Sequence, residues 1–134
     1  MTRTPAVRIA IIVDDHEHAR YLADAVTDLN AGWVLGHART LDGLARYLGE
    51  VIPDAVVTDL RLPGVRCADD CLARVRSMWP GPALVVTGDA GREAASAAVQ
   101  HGAPLYLKPV TPRELVAALN DLFSAPVRAQ ESRA

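Results

Sequence analysis

The stretch VVTDLRLPG, residues 56–64, decides the fold, because it joins a hydrophobic β-strand to a carboxylate and then to a turn. Val56 and Val57 are strand-forming residues that favour burial. Asp59 follows two residues later, before any helix could carry it to solvent. Pro63 and Gly64 then end the segment. This carboxylate either belongs to a functional site or only marks the point where a strand reaches the surface. How the other strands end decides between these two interpretations.

Composition is typical of one globular domain with an aliphatic core. The chain has 134 residues, of which 50% are hydrophobic and only 4% are aromatic. The formal net charge is −2 with both signs interspersed, which disfavours binding to nucleic acid or to a membrane surface. The apolar runs are shorter than the roughly 20 residues of a membrane span, and the first run lacks a signal-peptide cleavage site. A cytoplasmic protein is therefore expected.

Aliphatic runs alternate along the chain with helical patterns. The runs predict five strands, at 7–13, 33–38, 54–59, 83–87 and 104–107. Between and after them, apolar residues recur with the spacing of one helix face. Strands buried on both faces and alternating with helices favour a parallel sheet covered by helices on each side. We therefore predict an α/β domain of the (βα)5 type.

The last helix carries its own start signal. Thr111 and Glu114 have the spacing of a capping box, and apolar residues with helical spacing follow. The sequence beyond the helix is small and polar, so the domain is predicted to span residues 7–123. The termini, residues 1–6 and 124–134, are expected to be flexible.

Polar side chains stand at the carboxyl end of four of the five predicted strands. They are Asp14 and Asp15, then Asp59, Thr87 and Lys108. In an open parallel sheet, this edge is where ligands bind. Three carboxylates at one edge of the sheet repel one another, so either the pKa of one of them rises or a divalent cation binds between them. Carboxylate and carbonyl oxygens are ligands that suit Mg²⁺. A lysine and a hydroxyl can bind phosphoryl oxygens, and the central carboxylate, Asp59, is the candidate acceptor of that group.

The blocks VDDH, VVTDLRLPG, LVVTGDA and LYLKPV resemble the signature blocks of receiver domains from bacterial two-component response regulators. The resemblance covers about residues 7–123 and implies a flavodoxin-like three-layer sandwich with strand order 2-1-3-4-5. It also implies phosphotransfer from a histidine kinase or a histidine phosphotransfer protein. The segment GAPLYLKPV is similar to receivers of hybrid histidine kinases as well.

The resemblance implies a role for each strand-end residue. Asp59 matches the phosphoacceptor, Asp14 and Asp15 match the Mg²⁺-binding pair, Thr87 matches the switch hydroxyl and Lys108 matches the phosphate-binding lysine. The backbone carbonyl of Arg61 is expected to be a further ligand of the metal.

One pair of variable positions concerns tuning, and one departure from the family pattern concerns switching. Arg61 and Asp89 occupy the positions that tune the phosphoryl lifetime, and we hypothesise that they pair and lengthen it, with two solvated side chains as the alternative. Receivers usually place an aromatic residue three positions before the lysine, where this chain has Leu105. Tyr106 is one residue later, which predicts the opposite face of the strand unless a bulge restores the register.

The remaining cysteines and histidines suggest no further site. Cys67 and Cys71 are four residues apart without a second ligand pair, so ordinary packing is expected. His16 and His18 follow the acidic pair, where a metal role is conceivable but solvated positions are expected.

The function predicted from these features is that of a single-domain response regulator, which catalyses only its own phosphorylation and dephosphorylation. It would signal to a downstream protein through helix four, strand five and helix five, as a monomer or weak dimer. A phosphorelay intermediate or phosphate sink, or a phosphorylation-independent interaction module, are the alternatives. A turnover phosphatase is disfavoured because Arg61 stands where a second acid is usual.

Overall fold

The computed structural model describes residues 7–28, 33–88 and 91–133, apart from the side chains of Trp33 and of 124–133. In chain order its elements are β1 (Arg8–Ile12), α1 (His16–Asp28), β2 (Trp33–Ala38), α2 (Leu41–Leu48), β3 (Ala55–Thr58), α3 (Ala68–Met78), β4 (Ala83–Thr87), α4 (Arg92–Gln100), β5 (Leu105–Leu107) and α5 (Pro112–Arg133). The predicted alternation of strands and helices is confirmed.

The strands form one parallel sheet in the order β2-β1-β3-β4-β5, as predicted. The order reverses between β1 and β3, which is the point where such sheets bind ligands. Ile12 of β1 pairs with Thr58 of β3, and the Asp59 amide donates to the Ile12 carbonyl at 3.0 Å. The acceptor candidate is therefore held by the sheet itself, one residue beyond the strand.

The core divides into two clusters, one on each face of the sheet. Successive residues of β3 alternate between them, so that Val57 joins the cluster under α1 and α5, and Val56 joins the cluster under α2, α3 and α4. The expectation of burial on both faces holds for β3 and β4 and for β1 after its first residue. It is wrong for β2 and β5, which are only partly buried because they are the edges of the sheet.

Polar contacts join α3 to α4. The Arg76 guanidinium donates to the carbonyls of His101 at 2.9 Å and Gly102 at 3.1 Å, and also to the Gly81 carbonyl. His101 Nε2 lies 2.8 Å from an Asp69 carboxylate oxygen. The helix that follows the Asp59 loop is thus tied to the helix that follows β4.

The predicted capping box begins α5. The Thr111 hydroxyl accepts from the Glu114 amide at 3.1 Å, and the Glu114 carboxylate accepts from the Thr111 amide at 3.0 Å. The helix continues to Arg133, past the boundary expected at Phe123, and the extent of the domain stays a prediction. Among the described helices, none combines the length and apolar character needed to span a membrane.

Candidate functional site

Three of the predicted site residues meet at the carboxyl edge of the sheet. Asp59, which directly follows β3, is only 7% exposed. Lys108, which follows β5, places its Nζ atom 2.6 Å from Asp59 Oδ2. Thr87 is fully buried at the end of β4, and its side chain hydrogen-bonds Asp59. A carboxylate, an ammonium and a hydroxyl from three strands therefore form one contact group.

The second oxygen of the Asp59 carboxylate is bound by the chain that follows it. Asp59 Oδ1 accepts from the Leu60 amide at 2.6 Å and, more weakly, from the Arg61 amide at 3.4 Å. These bonds form because the chain turns sharply after the strand and brings the two N–H groups back to the carboxylate. Both carboxylate oxygens are thus fixed by donors.

The pKa of Asp59 reflects two opposed effects. Burial favours the neutral acid and raises the pKa, while hydrogen bonds from Lys108, Thr87 and the Leu60 amide, together with the Lys108 charge, lower it. The hydrogen bonds and the Lys108 charge together outweigh burial, so the pKa of Asp59 lies below its ordinary value. The carboxylate is ionised at neutral pH, as a nucleophile must be.

The main-chain carbonyl of Asp59 is also held, by two side chains that the sequence did not predict as site residues. The Thr58 hydroxyl donates to it at 2.7 Å, and the buried Cys71 thiol donates at 3.5 Å. Burial, with the nearby Asp59 and Asp70 charges, raises the pKa of the Cys71 thiol to about 12, so it remains a donor. Cys71 packs in the core as expected, whereas Cys67 caps α3.

The acidic pair after β1 is engaged by other groups. Asp14 is exposed, and its Oδ1 atom lies 3.6 Å from an Arg39 nitrogen. Asp15 Oδ1 accepts from the amides of Glu17 at 2.9 Å and His18 at 3.4 Å, and so caps α1. Within the described ranges, no three Asp, Glu, His or Cys side chains are grouped closely enough to hold a metal ion. Asp14 and Asp15 therefore do not form such a group with Asp59.

An open cleft of about 610 Å³ adjoins the loop after Asp59. Asp14, Arg61 and Cys67 are among its lining residues. Asp89, the hypothesised partner of Arg61, lies outside the described residues, so the effect of that pair on phosphoryl lifetime stays a hypothesis.

The two histidines after the acidic pair differ in environment. His16 is exposed, as expected. His18 is half-buried, so its predicted solvation is wrong, because the first turn of α1 packs near the Lys108 loop. Burial and the Lys108 charge lower the pKa of His18, while Asp59 and Asp15 act in the opposite direction. No local pattern could have revealed this, since Lys108 is distant in sequence.

Leu105 and Tyr106 of β5 lie on opposite faces of the sheet, as strand alternation predicts. Leu105 packs against the cluster under α2, α3 and α4, and Tyr106 packs against the cluster under α1 and α5. The pairing runs Val85 to Leu105 and Val86 to Tyr106, with no register shift in the described pairs. The role of either residue in switching stays a prediction.

Comparison with known families agrees with this geometry. A family model described as the response regulator receiver domain matches residues 10–120. This match covers most of the chain, and the protein therefore belongs to the family of response regulator receiver domains. No curated protein matches the sequence significantly.

Solved structures share the fold. The signal receiver domain of the putative response regulator NarL from Mycobacterium tuberculosis has a TM-score of 0.77 and 25% identity, with 88% of this chain and 96% of that chain covered. The RcsB receiver domain from Salmonella enterica with the phosphomimetic BeF₃⁻ has a TM-score of 0.79 and 18% identity, with 90% of each chain covered. A CheY-like receiver from Methanospirillum hungatei has a TM-score of 0.76 and 21% identity, with 97% and 100% covered. The last two likenesses bear on the fold alone.

Proposed function

We propose that this receiver domain accepts a phosphoryl group on Asp59 from a histidine kinase or a histidine phosphotransfer protein. The observation that carries the proposal is the buried, ionised carboxylate held between the Lys108 ammonium and the Thr87 hydroxyl. Burial protects an acyl phosphate from water, and ionisation supplies the nucleophile.

The proposed reaction is a direct displacement at phosphorus. An Asp59 carboxylate oxygen forms the new O–P bond with its own electron pair, and the P–N bond to the donor imidazole breaks, so that its electrons leave with the imidazole. Lys108 exchanges its bond to the carboxylate for one to a phosphoryl oxygen, which balances part of the added charge. The Thr87 hydroxyl can turn from the carboxylate to the phosphoryl group in the same way, and this movement is the proposed switch.

Mg²⁺ is the cofactor that the donor chemistry supports. Asp14, Asp15 and Asp59 offer carboxylate oxygens and Arg61 offers a backbone carbonyl, which is the kind of oxygen set that Mg²⁺ prefers. The bound ion would supply positive charge to the phosphoryl oxygens. Since Arg39 holds Asp14 and Asp15 caps α1, we expect ion binding to draw Asp14 away from Arg39.

The proposed output is a changed protein surface that a downstream protein reads. Val99 of α4 is 83% exposed and Leu107 of β5 is 48% exposed, and a partner bound on α4, β5 and α5 would cover these apolar side chains. The low net charge disfavours nucleic acid and membranes as partners. We infer a monomer or weak dimer that acts in the cytoplasm.

Intact-mass measurement tests the acceptor. Wild type, Asp59→Asn and Asp42→Asn would be incubated with acetyl phosphate and Mg²⁺ and sampled over seconds to minutes. Asp42 is an exposed acid in the first turn of α2 and serves as the matched control. We expect one phosphoryl adduct on wild type and on Asp42→Asn, and none on Asp59→Asn. An adduct on Asp59→Asn, or none on wild type, would contradict the proposal.

A relay or sink is the second candidate, because an aliphatic Leu105 stands where receivers usually carry the switch aromatic. Such a protein would lose its phosphoryl group rapidly and leave α4 unchanged. Amide NMR signals of α4, recorded with and without BeF₃⁻, distinguish it from a signalling receiver.

A further inference from the structure

The side chain of His18 carries a polar atom that the folded chain leaves unpaired. Its Nδ1 atom is buried and has no hydrogen-bond partner among the residues that the structure describes. Such an atom destabilises the fold, because it gives up its hydrogen bonds to water and gains none in exchange. Buried polar atoms are nearly always paired, so each exception asks for an explanation, and one such explanation is a group that pairs with the atom in another state of the protein.

His18 lies near Lys108, the residue whose ammonium contacts the proposed phosphoacceptor Asp59. His18 and Lys108 also line the same recess, of about 460 Å³, together with Pro109 and Val110. The group that meets the unpaired nitrogen is therefore expected close to the Lys108 ammonium, which is where the oxygens of a phosphoryl group on Asp59 are expected.

The imidazole of His18 lies beside the ring of Tyr21. It stacks near the Tyr21 ring, with centroids 6.5 Å apart and an interplanar angle of 18°. The Tyr21 hydroxyl donates to the Val110 carbonyl at 2.6 Å, which fixes that ring to the chain after β5. Because Nδ1 is buried, a phosphoryl oxygen reaches it only when a neighbouring side chain shifts, and Lys108 is the neighbour that moves in the proposed reaction, when it exchanges its bond to Asp59 for one to the phosphoryl group.

A phosphoryl group on Asp59 would bring oxygens that need additional hydrogen-bond donors. The donors around Asp59 already serve its two carboxylate oxygens. A phosphoryl group adds three acceptor oxygens, and the phosphorylated side chain carries a charge of about −1.5 to −2 in place of the single negative charge of the carboxylate. We propose that His18 donates a hydrogen bond from Nδ1 to a phosphoryl oxygen on Asp59, as a neutral imidazole that carries its hydrogen on that nitrogen. This inference rests on the proposed function and adds a phosphoryl-binding residue to it. The bond pairs the nitrogen only in the phosphorylated state and so favours that state.

Three substitutions of His18 test the proposal by the affinity for BeF₃⁻ at a fixed Mg²⁺ concentration. His18→Phe keeps a ring beside Tyr21 and removes both nitrogens. His18→Asn places an amide nitrogen at the same number of bonds from the backbone as Nδ1, and His18→Gln places it one bond farther away. We expect BeF₃⁻ to bind about tenfold more weakly to the Phe and Gln variants and within about threefold of wild type to the Asn variant.

Thermal unfolding without BeF₃⁻ separates binding from a structural role. His18→Phe removes an unpaired buried nitrogen, so we expect its unbound form to be at least as stable as wild type. Arg20→Ala, an exposed change on the same helix, is the control and should bind BeF₃⁻ normally. Wild-type affinity in His18→Phe would overturn the inference, as would failure of His18→Asn to restore binding. If wild type itself does not bind BeF₃⁻, the proposed function fails as well, and the two failures are thereby distinguished.

Discussion

At the scale of single residues, the amide, the carbonyl and the carboxylate of Asp59 all form hydrogen bonds. Its amide bonds β1, its carbonyl accepts from Thr58 and Cys71, and its carboxylate accepts from Lys108 and the following amides. Such a carboxylate has one orientation, which favours attack along one line on an incoming phosphorus. The thiol and the hydroxyl on the carbonyl are positioning groups rather than reacting ones.

The Asp59 carboxylate should make the free energy of unfolding decrease at acidic pH. Its folded pKa lies below the unfolded value of about 3.9, so its contribution is fully present above that pH and is lost as pH falls through the folded pKa. Asn cannot titrate, so Asp59→Asn should lose less unfolding free energy than wild type between about pH 5 and pH 2.

Urea denaturation at a series of pH values measures this difference. Asp42→Asn, a change of an exposed carboxylate, is measured alongside as the control for a surface substitution. Parallel curves for wild type and Asp59→Asn would mean that the donors around the carboxylate do not favour its ionised form.

At the scale of elements, Leu105 and Tyr106 of β5 pack on opposite faces of the sheet. Adjacent residues of a strand point to opposite faces, so the tyrosine faces α1 and α5 while the leucine faces the α4 side. The β4–α4 connection begins at Thr87, the switch candidate, and α4 is joined to α3 by Arg76 and by the Asp69–His101 pair. We therefore expect a change at the site that reaches α4 to affect the face on which Leu105 lies.

A matched pair of substitutions in β5 tests this separation. Tyr106→Leu and Leu105→Ala each remove partly buried apolar atoms, and each should lower the unfolding free energy by about 1–2 kcal/mol. Amide NMR signals of α4 should shift on BeF₃⁻ addition in Tyr106→Leu as in wild type, and shift less in Leu105→Ala. If both variants lose the BeF₃⁻-induced shifts of α4 equally, the two faces of β5 do not differ in their effect on α4.

At the scale of the whole molecule, strand order assembles the site. Parallel strands all end at one edge, and the order β2-β1-β3-β4-β5 makes β3 the neighbour of both β1 and β4. Lys108 reaches Asp59 across a separation of 49 residues, because β5 extends the same edge. The helices on both faces bury β3, β4 and most of β1, and this burial limits water at Asp59.

The end of α5 should be dispensable for the fold. Among the side chains of α5 that the structure describes, Leu115, Ala118, Leu119 and Leu122 are buried, and Phe123 packs against the same cluster. A chain that ends at Phe123 should unfold cooperatively, within about 1 kcal/mol of the full chain, and bind BeF₃⁻ equally well. Circular dichroism during urea unfolding measures this. A chain that ends at Ala117 lacks three of these buried residues and should fail to fold, and a similar failure at Phe123 would place the domain boundary later.

The sequence by itself determined the alternation of strands and helices, the strand-end residues Asp59, Thr87 and Lys108, and the opposite faces of the β5 pair. Those features are local, because they follow from periodicity, capping and the residue at which an apolar run stops. Only the tertiary structure decided that Arg39 holds Asp14, that Cys71 reaches the Asp59 carbonyl and that His18 has an unpaired nitrogen near the Lys108 loop. Each of these depends on side chains that meet from distant parts of the chain, and no local pattern records which distant groups will meet.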